Sequence, residues 1–143
     1  MLRFAFATCL LFASVALASE PEGDLKALQG TWSITDAMLA GRDHIDDFKE
    51  MKLKVTGDQY EVGFGMVREK GTLKLDSTKK PKQIDLTTTK DGTFKGRNLP
   101  GIYELKGDTI VLCIEENKPE RPAKFEAPEK TRLMLLTFKR DKK

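Results

Sequence analysis

The stretch GIYELKGDTIVLCI, residues 101–114, decides the fold predicted for this chain. Two runs rich in β-branched and aromatic residues flank the pair Gly107-Asp108. Glycine tolerates the positive φ that a tight hairpin turn requires, and aspartate suits the neighbouring turn position. The stretch therefore predicts a β-hairpin that turns at Gly107-Asp108.

The same two-residue alternation continues on both sides of this hairpin. Apolar residues alternate with polar ones in short segments between turns, at residues 31–35, 51–55, 60–64, 67–76 and 83–88, and a last strand is predicted at residues 131–138. The links leave no room for crossover helices, and a sequential antiparallel sheet has two open edges unless it closes. We therefore predict an all-β fold, an eight-stranded antiparallel up-and-down barrel, with an open two-sheet sandwich as the alternative.

A short helix is predicted ahead of the first strand, over residues 24–30. Asp24 is suited to cap its first turn, Leu25 and Leu28 share one face, and Gly30 ends it. So short a helix is unstable alone, and its leucines must therefore lie against the rest of the domain.

The strands predicted at residues 110–114 and 133–136 are apolar on both faces. In a barrel they present an outer stripe that includes Val111 and Cys113, and this stripe needs a cover. We expect the N-terminal helix to provide it, because a cover within the chain avoids the entropy loss of association. A second copy of the protein is the alternative.

Residues 1–18 differ in kind from the rest of the chain. Arg3 precedes an apolar run that ends in Ala16-Leu17-Ala18, the pattern of a signal peptide cleaved after Ala18. We predict a signal peptide over residues 1–18 and a barrel domain over 19–143, exported to the periplasm or secreted. Loss of Arg3 lowers the formal charge from +3 to +2. This near-neutral balance gives no case for a nucleic-acid partner, and no stretch is apolar enough for an integral membrane span.

The sequence offers little for catalysis or metal binding. His44 is the only histidine, and no Gly-x-Ser-x-Gly motif accompanies it. The acidic residues around His44 lack the calcium-loop pattern, and they are interpreted as a solvated turn. Cys113 is the only cysteine outside the signal peptide, so it is either a small buried hydrophobe or a thiol that bridges two chains. We predict no catalytic residue, no metal and no cofactor.

Two resemblances support the barrel. Gly30-Thr31-Trp32 resembles the first-strand Gly-x-Trp of lipocalins; this implies that Trp32 closes one barrel end under Arg140, with Arg132 as the alternative. Most of the mature chain also resembles a family of small exported proteins numerous in planctomycete bacteria. The resemblance rests on six motifs, which occur in this order along the chain: Asp24-Leu25-x-x-Leu28-Gln29-Gly30-x-Trp32, Lys70-Gly71-Thr72-x-x-Leu75-Asp76, Lys80-Pro81-Lys82-x-Ile84-Asp85, Gly101-Ile102-Tyr103-Glu104-Leu105-x-Gly107-Asp108-Thr109, Leu112-Cys113 and Glu120-Arg121-Pro122. This second resemblance implies an exported lipocalin-like barrel and assigns no activity.

The remaining candidate for function is the barrel interior. We expect a small apolar molecule to bind there, with a tyrosine hydroxyl contributing a directional hydrogen bond. The candidate ligand-binding residues are Tyr60, Val62, Phe64, Tyr103, Leu105 and Leu112. The alternative is a filled barrel in which these side chains are only core. Such a protein would act as an interaction module through the outer face of its last two strands. A monomer is expected for the binding role.

Overall fold

The computed structural model describes residues 21–89, 92 and 95–142. The predicted signal peptide, residues 1–18, lies outside the described residues. The described chain forms two short helices and nine strands, in the order α1 (Pro21–Leu28), β1 (Gly30–Leu39), β2 (Arg42–Asp43), α2 (Ile45–Phe48), β3 (Lys52–Thr56), β4 (Gln59–Phe64), β5 (Val67–Asp76), β6 (Lys82–Thr88), β7 (Asn98–Lys106), β8 (Thr109–Glu115) and β9 (Leu133–Arg140).

The sheet closes on itself through its first and last strands. Successive neighbours pair in the order β2-β1-β3-β4-β5-β6-β7-β8-β9, and β1 also pairs with β9. In that closing pair Trp32 lies opposite Arg140, and Leu39 lies opposite Met134. The two-residue β2 pairs only with the end of β1. The other eight strands form a closed antiparallel up-and-down barrel, which confirms the predicted fold and excludes the open sandwich.

Strands β7 and β8 form the hairpin predicted from residues 101–114. Lys106 lies opposite Thr109 across the turn, and Gly107 adopts a φ of +55°. A side chain at that φ would be strained, which explains the glycine. Tyr103 and Leu112 face each other across the two strands on the inner side of the barrel.

A register shift interrupts β1 between Ile34 and Asp36, in its pairing with β9. Such a bulge inserts one extra residue, so the side chains beyond it change face. Trp32 and Ile34 are buried before the shift, and Ala37 joins the same core after it. The bulge thus keeps apolar residues inside the barrel along the whole of a ten-residue strand.

The segment between β8 and β9, residues 116–132, covers the outer stripe at Cys113. The Cys113 thiol is fully buried and donates to the carbonyl oxygen of Glu126 at 3.3 Å. Ala127 of the same segment is buried and accepts from the amide of Gly41 at 2.6 Å. The expectation that the N-terminal helix covers this part of the stripe is therefore wrong.

Arg121 anchors this covering segment to the barrel wall. One guanidinium nitrogen donates to the carbonyl oxygens of Ile84 and Gly101, at 2.9 and 2.8 Å. The other donates to the carboxylate of Asp85 at 2.8 Å. A planar, always-charged guanidinium can satisfy three acceptors at once, so a single side chain ties the segment to β6 and β7.

Candidate ligand-binding site

A cavity of about 240 Å³ occupies the barrel interior. All eight barrel strands contribute to its wall, and Leu28, Phe48, Met51 and Glu116 extend it beyond the strands. Every lining side chain is aliphatic, aromatic or methionine except those of Glu69 and Glu116. The interior is thus an apolar compartment suited to a small organic molecule.

Five of the six predicted ligand-binding residues line this cavity: Tyr60, Val62, Phe64, Tyr103 and Leu112. Period-two alternation places each of them on the inner face of its strand. The sixth, Leu105, packs against the core but lies outside the cavity lining. It is next to the last residue of β7, close to the barrel end that α1 occupies.

Helix α1 closes that end of the barrel. Leu28, its last residue, is buried and lines the cavity. The indole nitrogen of Trp32 donates to the carbonyl oxygen of Leu28 at 2.9 Å, and Trp32 is itself 0% exposed. The helix is therefore held to the first barrel strand by a buried hydrogen bond as well as by apolar contact.

Arg140 covers the same end from the last strand. Its guanidinium carbon lies 4.2 Å from the centre of the Trp32 ring, within range of a cation–π interaction. The guanidinium also donates to the carbonyl oxygens of Ala27 and, at 2.6 Å, Gln29 at the end of α1. These carbonyls have no partner within a helix that ends there, so Arg140 satisfies them. Trp32 and Arg140 thus lie together at the end of the barrel that α1 covers.

A second polar contact fixes α1 to β7 and β6. The Tyr103 hydroxyl donates to the Asp24 carboxylate at 2.7 Å, and the Lys82 ammonium donates to the same oxygen at 2.8 Å. Burial, and then the hydrogen bond to Asp24, raise the pKa of Tyr103. Because α1 begins at Pro21, Asp24 lies inside the helix and the prediction that it caps the first turn is wrong. The Tyr103 hydroxyl is thus already hydrogen-bonded to Asp24, and this bond fixes α1 to β7.

The other tyrosine, Tyr60, lines the cavity from the start of β4. Its side chain is 5% exposed, and burial, together with the negative charge of Glu69, raises its pKa to about 12. The phenol is therefore protonated at neutral pH and remains a hydrogen-bond donor.

The mouth of the cavity lies at the end opposite α1, beside the turn between β4 and β5. Val67 lines the cavity yet is 41% exposed, and Met66 in the turn is fully exposed. Sequence reasoning missed the two glutamates of the lining. The signal was present, because Glu69 shares the parity of Val67 and Leu73 along β5, and Glu116 continues the parity of Leu112 and Ile114.

His44 lies away from this cavity. Its ring nitrogen is 2.9 Å from a carboxylate oxygen of Asp47, one turn along the chain, and Asp47 is exposed. Within residues 21–89, 92 and 95–142, no three His, Cys, Asp or Glu side chains are grouped as a metal site would require.

Comparison of the chain with protein-family models, curated proteins and solved structures gave no match. No helix in the described part of the chain has the length and apolar character needed to cross a bilayer.

Proposed function

We propose that this protein is an exported, lipocalin-like binding protein that holds a small, largely apolar molecule inside its barrel. The observation that carries the proposal is the interior cavity of about 240 Å³ with an almost wholly apolar lining. A barrel that served only as a packed scaffold would fill this space with side chains, since protein interiors are close-packed. Export rests on the sequence of residues 1–18 and the lipocalin likeness on Gly30-Thr31-Trp32.

Binding in this role is driven by the transfer of the ligand from water into the preformed cavity. Each square ångström of apolar surface removed from water contributes about 25 cal/mol. Tyr60 supplies a neutral hydroxyl in the lining, whereas the hydroxyl of Tyr103 is already bonded to Asp24. Tyr60 is therefore the tyrosine proposed to orient the ligand. The role needs no catalytic step and no cofactor.

Two observations favour this role over that of an interaction module built on the outer face of the last two strands. The barrel contains a cavity, and the outer stripe is covered at Cys113 by residues 116–132. A surface that the chain covers itself offers less apolar area to a partner.

The experiment is a titration with N-phenyl-1-naphthylamine, a neutral dye that fluoresces in apolar surroundings. We expect saturable enhancement by the native protein that disappears when urea unfolds it. Val62→Phe, which adds a ring inside the cavity, should weaken dye binding at least tenfold. Val111→Phe, on the outer face of β8, is the matched control and should leave binding unchanged. Absence of saturable binding to the native wild-type protein refutes the proposed function.

A further inference from the structure

In the described part of the chain, the charged side chains that line the cavity are all of one sign. Glu69 and Glu116 are the only described lining residues with an ionisable carboxyl, and no described lysine, arginine or histidine lines the cavity. Both lie towards the mouth, since Glu69 follows the exposed Val67 by two residues and Glu116 lies just beyond the end of β8. The polar end of the compartment is therefore acidic.

Glu116 is the better placed of the two to meet a ligand. Its side chain is half-buried and lines the cavity, and it makes no hydrogen bond or ion pair with any residue in the described part of the chain. Glu69 is buried, and its carboxylate lies against the backbone of Gly92. Glu69 thus forms the inner wall of the acidic region, and Glu116 its rim.

The groups around Glu116 shift its pKa in opposite directions. Burial raises the pKa of its carboxyl, as does the neighbouring Glu115, while Arg132 and Arg97 act to lower it. The effect of burial is the larger. Arg132 and Arg97 are exposed, and neither is among the described residues that line the cavity. A carboxylate that has lost part of its hydration gains from a cation placed beside it.

We propose that the ligand is an apolar amine, whose hydrocarbon part fills the barrel and whose ammonium group lies at the mouth beside Glu116. This inference rests on the proposed function and specifies the class of ligand. An anionic head, such as that of a fatty acid, would be repelled by the carboxylate of Glu116 and would meet no cation among the described lining residues. A neutral alcohol would add no positive charge to that of Arg97 and Arg132 in offsetting the charge of Glu116.

The test uses octylamine, octanol and octanoate, which share one chain and differ in the charge of the head. Each is titrated against the native protein loaded with N-phenyl-1-naphthylamine at neutral pH. We expect octylamine to displace the dye at a concentration at least tenfold below that of octanol, and octanoate to be the weakest. Equal or stronger displacement by octanoate overturns the proposal.

Glu116→Gln removes the charge while keeping the shape of the side chain. It should weaken octylamine about tenfold and leave octanol unchanged, whereas Glu120→Gln, an exposed change in the same segment, should alter neither. Loss of octylamine and octanol affinity together would mean that Glu116 acts on the cavity shape, which also overturns the proposal. Failure of the dye itself to bind the wild type refutes the proposed function, whereas dye binding without preference for the amine refutes this inference alone.

Discussion

Gly71 approaches the carbonyl oxygen of Thr87 so closely that a Cβ at position 71 would overlap it. The same Cβ would lie 2.9 Å from the ring of Tyr60, which pairs with Gly71 across β4 and β5. Both contacts are closer than real Cβ atoms show, and one of them is to backbone that cannot move aside. Glycine at this position therefore lets the Tyr60 ring and the β6 backbone come together in the barrel wall.

We predict that Gly71→Ala lowers the free energy of unfolding by about 3 kcal/mol, the upper part of the range for overpacking. Urea unfolding followed by circular dichroism measures it. Gly23→Ala is the control, because position 23 lies in α1 with open space around it. That change should stabilise the protein by up to about 1 kcal/mol. A Gly71→Ala protein as stable as the wild type would show that the β5–β6 contact is looser than described.

Arg140→Ala should destabilise the closed end of the barrel. It removes the cation from the Trp32 ring and the donors from the carbonyls of Ala27 and Gln29. Together these losses correspond to about 2–3 kcal/mol of unfolding free energy. The intrinsic fluorescence of Trp32, the only tryptophan, reports the transition. Lys139→Ala, an exposed change on the same strand, should stay within about 0.5 kcal/mol of the wild type.

Tyr103→Phe should lower the stability of the protein without changing its affinity for the dye. The ring that lines the cavity is kept, while the hydroxyl that donates to Asp24 at 2.7 Å is lost. Because Lys82 still compensates the buried carboxylate, we expect a loss of about 1–3 kcal/mol in unfolding free energy and unchanged dye affinity. Dye affinity that falls with Tyr103→Phe would assign that hydroxyl to the ligand instead.

We expect the two tyrosines to determine how the free energy of unfolding depends on pH under alkaline conditions. The chain contains two, Tyr60 and Tyr103, and the pKa of each is raised in the folded protein, that of Tyr60 to about 12. The unfolded chain therefore loses these protons first, so stability is intact below about pH 10 and falls as the pH rises towards 12. Tyr60 alone should account for a decrease of about 3 kcal/mol in the free energy of unfolding.

Absorbance at 295 nm checks this titration. The native protein should show no tyrosinate near pH 10, and urea should restore an ordinary titration. In Tyr60→Phe the stability should fall less steeply between about pH 10 and pH 12. Tyrosinate that forms near pH 10 in the native state would contradict the burial of both rings.

Arg121→Met should loosen the segment that covers Cys113. It removes the bonds from residue 121 to Ile84, Gly101 and Asp85. We expect the Cys113 thiol to react with a disulfide reagent at least tenfold faster, since labelling then follows local opening of the segment. Protein lacking residues 1–18 is used, because Cys113 is then the only cysteine. Lys124→Ala, exposed in the same segment, should label at the wild-type rate while both variants keep the native circular dichroism spectrum.

The barrel itself was predictable because each strand buries one face. Residues such as Leu53 and Val55, or Tyr60 and Val62, alternate with charged neighbours, and that period specifies a strand with an inner side. The bulge in β1 was not predictable, since the register shift depends on how β1 meets β9 more than 90 residues later. The role of Arg121 was hidden for the same reason, because two of its three acceptors are backbone carbonyls that carry no residue-specific signal.

The candidate site was predicted in its apolar part only. A search for apolar residues on the inner face identifies Val62 and Leu112. It does not identify Glu69, although strand parity places that residue on the inner face as well. Glu116 lies one residue beyond the end of β8, so its prediction requires that the parity of Leu112 and Ile114 continue past the strand.

The β1–β9 pairing has a consequence for biosynthesis. The opening strand of the sheet acquires its second neighbour only when residues 133–140 have emerged from the ribosome or translocation channel. Until that moment the edges of both β1 and β8 carry amide and carbonyl groups without a partner strand, and these edges can pair with strands from other molecules. A holdase chaperone that binds such a strand edge would protect this protein during synthesis. It would have no further role once β9 has paired and the barrel is closed.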